Sequence, residues 1–117
     1  MSARFRLTPA NPLEQDIQSQ IIAYLRSEKA PGRIAWFECG KGKVALSGAL
    51  AGGQFFALEF KQHNEKPTYE QLEYLAAVRE DGGIAAVVRS LNDAKNVLFG
   101  DGIKAVLAEE EINHVIT

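Results

Sequence analysis

Residues 44–61 read Val-Ala-Leu-Ser-Gly-Ala-Leu-Ala-Gly-Gly-Gln-Phe-Phe-Ala-Leu-Glu-Phe-Lys. Val44–Leu50 and Gln54–Lys61 are two runs of strand length, and Gly52-Gly53 between them is a hairpin signal. Side chains alternate along a strand, so Phe56, Leu58 and Phe60 share one face while Ala57, Glu59 and Lys61 share the other. Downstream, Pro67-Thr68 opens a helix. Thr68 with Gln71 three residues on forms a capping box, and Leu72, Leu75, Ala76 and Val78 follow at helical spacing. Gly82-Gly83 ends that helix. Ile84–Val88 is an unbroken apolar run, as expected of a strand covered on both faces. A hairpin followed by a helical crossover to another strand predicts a mixed central sheet flanked by helices.

Upstream of the hairpin, Leu13, Ile17, Ile21, Ile22 and Leu25 mark a helix that opens at Pro12, with Asn11 as its cap, and ends near Pro31-Gly32. Arg33–Phe37 reads as a short strand in which Trp36 and Phe37 are core residues, and Gly40-Lys41-Gly42-Lys43 reads as a turn. After Val88, Ser90 with Asp93 behind it starts a third helix carrying Leu91, Ala94, Val97 and Leu98. Ile103–Ile116 is apolar enough to pack and is expected to be helical in part. The predicted order is α-β-β-β-α-β-α.

With 117 residues and 12.8 kDa, the chain is expected to form one domain, residues 1–117. Its 46% hydrophobic and 24% charged residues argue against a disordered or fibrous chain. No apolar stretch is long enough to span a membrane, and Met1–Arg6 lacks the apolar core of a signal peptide. A single cysteine, Cys39, excludes an internal disulfide and a cysteine-based zinc site, and fits a reducing cytoplasm. Charge is uneven: residues 1–66 hold nine Lys/Arg against six Asp/Glu, and residues 67–117 hold four against nine. The acidic excess reads as a solvated helix surface and does not exclude nucleic acid, because binding depends on the local field.

Glu59 and Lys61 carry the first chemical signal. A carboxylate oxygen is a natural ligand for Mg²⁺ or Mn²⁺, and a neighbouring ammonium can orient a water or offset charge on a phosphoryl group. The bland reading is a solvated, salt-bridged sheet face. Glu14 adds weight to the first. At about 100° per residue it lies about 20° from both Ile21 and Leu25 around the helix, next to Gln18, so it can look down the apolar face toward a cation. It can equally sit in the first turn and complement the helix dipole near the surface; the residues leave both open. Gln71 is already explained by its capping role. Lys41, Lys43, Arg33 and Arg89 could contact phosphates, although scattered cations are more often just solvated. Gly40-Lys41-Gly42-Lys43 lacks the spacing of a phosphate-binding P-loop, and His63, His114 and Cys39 lack companions for metal binding or nucleophilic attack.

Glu14 in the first helix, the hairpin, Leu58-Glu59-Phe60-Lys61, Thr68-x-x-Gln71 and Gly82–Ser90 together resemble the virus-type replication–repair nuclease (VRR-NUC) domain of the PD-(D/E)xK phosphodiesterases, over roughly residues 13 to 98. The resemblance implies a restriction-endonuclease-like core (α-β-β-β-α-β) and Mg²⁺- or Mn²⁺-dependent, structure-selective cleavage of branched or flapped DNA, as at Holliday junctions. It implies Glu14 as the helix carboxylate, Glu59 as the strand carboxylate, Lys61 as the catalytic lysine and Gln71 as the second-helix glutamine, with the metal on Glu59 and Glu14. Small members of this kind look like phage- or plasmid-type proteins of a bacterial cytoplasm, and some act as homodimers; Ile103–Ile116 and the hairpin are the candidate interface. One departure matters. The family places an Asp some fourteen or fifteen residues before Glu59, where this chain has Ala45 or Val44, and no Asp or Glu occurs between Cys39 and Leu58. Either the chain is a natural inactive relative, or it carries an Asp-to-Ala substitution at position 45 made to disable it; retention of Glu14, Glu59, Lys61 and Gln71 favours the second. The rival expectations are a binding or regulatory module that keeps the fold without the chemistry, and a generic α/β interaction domain in which Glu59 and Lys61 form an ordinary salt bridge.

Overall fold

A computed structural model describes residues 13–40 and 45–100. The elements are α1 (Glu14–Lys29), β1 (Ile34–Cys39), β2 (Leu46–Leu50), β3 (Phe55–Phe60), α2 (Tyr69–Glu80), β4 (Ile84–Val88) and α3 (Leu91–Phe99). The strands form one sheet in the order β1-β2-β3-β4. β1/β2 and β2/β3 are antiparallel, and β3/β4 is parallel with Phe56 opposite Ile84 and Phe60 opposite Val88. This is the expected α/β architecture, a mixed sheet flanked by helices and compatible with a restriction-endonuclease-like core. Among the described residues no helix is long and apolar enough to cross a membrane. The turn at Lys41–Lys43, the Asn11-Pro12 helix start and the Ile103–Ile116 tail lie outside the described residues.

The two faces of the sheet follow the alternation read in β3. Phe56, Leu58 and Phe60 join Leu46, Ala86 and Val88 under Ile17, Ile21 and Leu25 of α1 and Ala94 and Leu98 of α3. Ala57 joins Ala85 and Val87 under Leu75, Ala76 and Val78 of α2. α1 and α3 therefore cover one face and α2 the other, which is why β4 is apolar on both sides. Glu59 lies on the α2 face and is only 7% exposed. That face of β3 is accordingly not a solvated sheet surface.

Local signals set most boundaries. α1 starts at Glu14 with Leu13 as its N-cap and no side-chain cap, and Glu14 and Asp16 in its first turn complement the helix dipole. Gly52 and Gly53, with φ of 95° and 97°, make the turn between β2 and β3. At α2 the capping box forms as read: Thr68 Oγ1 accepts from the Gln71 N–H (3.1 Å) and Gln71 Oε1 accepts from the Thr68 N–H (2.8 Å). Thr68→Ala should cost about 1 kcal/mol of stability, read as a lower urea midpoint at unchanged slope. α3 is capped by Ser90, whose Oγ accepts from the Asp93 N–H at 3.0 Å.

One core assignment needs correcting. Trp36 is 43% exposed and Phe37 is half-buried, so Trp36 is not a core residue. β1 is an outer strand of the sheet, and α2 packs on β3 and β4. The Trp36 ring consequently rests beside Phe55, at a centroid distance of 6.5 Å, and stays largely open to solvent.

Candidate functional site

β3 and α2 bring the first part of the site together. Glu59 Oε1 accepts a hydrogen bond from the backbone N–H of Ala45 at 3.0 Å, and Glu59 Oε2 accepts from Gln71 Nε2 at 2.8 Å. Leu46 pairs with Leu58 across the hairpin, so the preceding residue, Ala45, comes alongside Glu59. The Ala45 carbonyl accepts from the Gly40 N–H at 2.7 Å, which ties the end of β1 to the same spot. Gln71 serves two purposes with one amide: its oxygen caps α2 and its nitrogen holds Glu59. The capping role and the role implied by resemblance are therefore compatible.

Both Glu59 oxygens meet donors, which is how a buried carboxylate is normally satisfied. Burial pushes its carboxyl above the usual carboxylate range, while the Lys61 ammonium and the Ala45 N–H oppose that rise.

The second part lies where the chain leaves β3. Lys61 Nζ is 4.0 Å from Glu14 Oε2, with side-chain exposures of 14% for Lys61 and 43% for Glu14. Glu14 thus keeps both properties that the sequence left open: it occupies the first turn near the surface, and it meets a cation. Among the described residues Lys61 pairs with Glu14 and not with Glu59, so the simple Glu59–Lys61 salt bridge is not what forms.

Glu65, which no periodicity or motif singled out, completes the cluster. It sits in the loop between β3 and α2, its Oε1 accepts from the Gln62 N–H at 3.0 Å, and it lines one shallow cleft with Glu14. The nearby Glu65 carboxyl, then burial, raise the Glu14 carboxyl against the pull of Lys61. The Glu14 carboxyl and the Gln62 N–H in turn hold Glu65 below the usual range. The Lys61 ammonium acts on all three carboxyls: it lowers Glu14, Glu59 and Glu65 alike.

Comparison with known protein families, curated proteins and solved structures finds no match. The geometry therefore carries the functional argument. Of the residues singled out from sequence, the fold gathers Glu59, Ala45 and Gln71 into direct contact and joins Lys61 to Glu14. Arg33 lies at the other end of β1, 3.5 Å from Glu28 and with its guanidinium 3.8 Å above the Phe99 ring. Arg89 reaches the Glu65 carbonyl at 2.8 Å. Lys41 and Lys43 are outside the described residues.

A divalent cation needs several convergent oxygens. Among the described residues no three His, Cys, Asp or Glu side chains are grouped to hold one. Glu59 spends both oxygens on protein donors, Glu14 is engaged with Lys61 and Glu65, and position 45 contributes a methyl group. The residues present do not fit a tightly held Mg²⁺ or Mn²⁺.

Proposed function

We propose that this chain has the fold and most of the site of a DNA phosphodiesterase of the VRR-NUC kind, with its hydrolytic chemistry impaired at Ala45. The observation that carries the reading is the Ala45–Glu59–Gln71 contact set: a strand carboxylate is held by the helix glutamine on one oxygen and by the backbone of position 45 on the other. These residues are spread over 27 positions of chain, and a generic sheet surface has no need to converge them on one buried carboxylate. Lys61 supplies the cation that can meet a phosphate oxygen, and Gln71 fixes Glu59 so that its geometry does not drift. The proposed substrate is branched or flapped DNA and the proposed working form a homodimer in a bacterial cytoplasm; Mg²⁺ or Mn²⁺ is proposed as the cofactor of a form with a carboxylate at position 45, since the residues present do not fit it.

Position 45 itself favours a second reading for the chain as it stands, a DNA-binding or regulatory module without cleavage. Incubating the chain and its Ala45→Asp variant with Mn²⁺ or Mg²⁺ and synthetic four-way junctions, flaps and plain duplex separates the two. Cleavage by the Asp variant supports the nuclease reading; binding without cleavage by either supports the module.

In the Ala45→Asp background, Lys61→Ala should reduce junction cleavage by a factor of about 10² or more, because a positioned cation at a phosphoryl centre is lost. Lys61 is at the edge of the core, so the melting temperature should move little. Undiminished cleavage by the Lys61→Ala form would place the reacting phosphate elsewhere.

A further inference from the structure

We propose that Arg89 is a positioning residue: it clamps the loop between β3 and α2 so that Glu65 is presented to Glu14 beside Lys61. The proposal deepens the nuclease reading and gives Arg89 a role other than phosphate contact.

The geometry runs in one connected path. The capped start of α3 fixes the Arg89 backbone, whose N–H donates to Asp93 Oδ2 at 2.9 Å. β4 runs parallel to β3, and the Lys61 N–H donates to the Val88 carbonyl at 3.1 Å, so Arg89 leaves the sheet next to Lys61. From there Arg89 Nη2 donates to the backbone carbonyl of Glu65 at 2.8 Å, bridging 24 positions of sequence. The loop it grips is folded on itself twice, by the Glu65 N–H to the Gln62 carbonyl (3.1 Å) and by the Gln62 N–H to Glu65 Oε1 (3.0 Å). Glu65 and Gln62 then line one shallow cleft with Leu13, Glu14 and Gln15 at the start of α1.

Glu65 is exposed, so little burial holds the loop where it is. Pro67 is buried and anchors the α2 end of the loop, but His63–Lys66 are exposed; such a stretch samples many conformations, and a guanidinium locked onto a main-chain carbonyl restricts them. Without the clamp, Glu65 leaves the cleft it shares with Glu14, and the charge environment of the Glu14–Lys61 pair changes. Residues that orient the members of a site commonly change function by 10- to 100-fold without touching the substrate.

The test has two arms. In the chain as it stands, amide hydrogen exchange at Gln62 should speed up by about tenfold in Arg89→Ala while the α2 amides stay protected. Arg89→Lys, which retains a donor for the carbonyl, should recover part of that protection. Unchanged Gln62 exchange in Arg89→Ala overturns the clamp, whatever the catalytic result.

In the Ala45→Asp background with Mn²⁺ and a synthetic four-way junction, Arg89→Ala should lower kcat by about tenfold with KM within a factor of about two. Adding Arg89→Ala to Glu65→Ala should cost little more than Glu65→Ala alone, since both act through one group. A raised KM at unchanged kcat would make Arg89 a DNA contact and overturn the proposal. If Gln62 exchange accelerates but the Ala45→Asp chain cleaves nothing, the clamp stands and the nuclease reading fails.

Discussion

Ala45→Asp is expected to create a Mn²⁺ site and to switch on junction cleavage that the parent chain lacks. The backbone of position 45 is already 3.0 Å from Glu59 Oε1, so a carboxylate there would start beside an existing carboxylate. In the absence of metal the two anions repel in a largely buried setting, and Glu59, already raised by burial, should be raised further. The variant should therefore be less stable than the parent without metal and should regain stability as Mn²⁺ is added, because a ligand that binds only the folded state stabilises it by mass action. Calorimetry should show Mn²⁺ affinity at least about tenfold above the parent's, as ligand charge and a fixed oxygen are both gained. With a carboxylate at position 45 beside Glu59 to hold it, a divalent ion would supply a more acidic water and charge against the phosphoryl oxygens, so cleavage should rise by orders of magnitude. A folded Asp variant that binds Mn²⁺ no better than the parent would show that position 45 is not the vacant ligand position. The binding-module reading would then be the better one.

Gly48→Ala should be the most damaging single change in the sheet, costing about 3 kcal/mol or more. A Cβ on Gly48 would run into the Trp36 carbonyl and would lie 2.8 Å from both Phe37 Cα and Phe56 Cζ. Two of these atoms are main chain of β1, and the third belongs to a fully buried ring, so no flexible side-chain tip can move aside. β1 would have to separate from β2, breaking ladder pairs such as Phe37 with Gly48, or Phe56 would have to leave its place in the core. Against a typical total stability of about 5–15 kcal/mol, this loss is large enough to unfold a substantial fraction of the protein at 37 °C. Urea denaturation followed by circular dichroism measures it. A midpoint close to the parent's would mean that β1 can shift away from β2 without penalty.

The sequence was legible wherever the governing interaction is local. Ile84–Val88 declares a doubly covered strand through its own composition, Gly52-Gly53 declares a turn through backbone freedom, and Thr68 with Gln71 declares a helix start through a bond three residues long. The alternation in Phe56–Lys61 likewise sorted the core face from the Glu59 face without knowledge of the neighbours. The place of Glu59, Lys61, Gln71 and Ala45 in one site came from resemblance in order and spacing, not from periodicity.

What only the tertiary structure decided depends on contacts between distant segments. Trp36 carries the composition of a core residue, yet its burial depends on which strand becomes the outer one and how far α2 extends, and neither is written in Arg33–Phe37. Glu14 could point at a cation or at water with equal support from helix geometry; in the fold it does both, because it stays near the surface while Lys61, 47 positions away, arrives beside the first turn. Glu65 gave no signal because an isolated loop glutamate has no period, and it becomes part of the cluster only when the chain leaving β3 turns back over the start of α1. Local propensities act over a few residues, whereas the charge environment of a site is the sum over whatever the fold brings within a few ångströms.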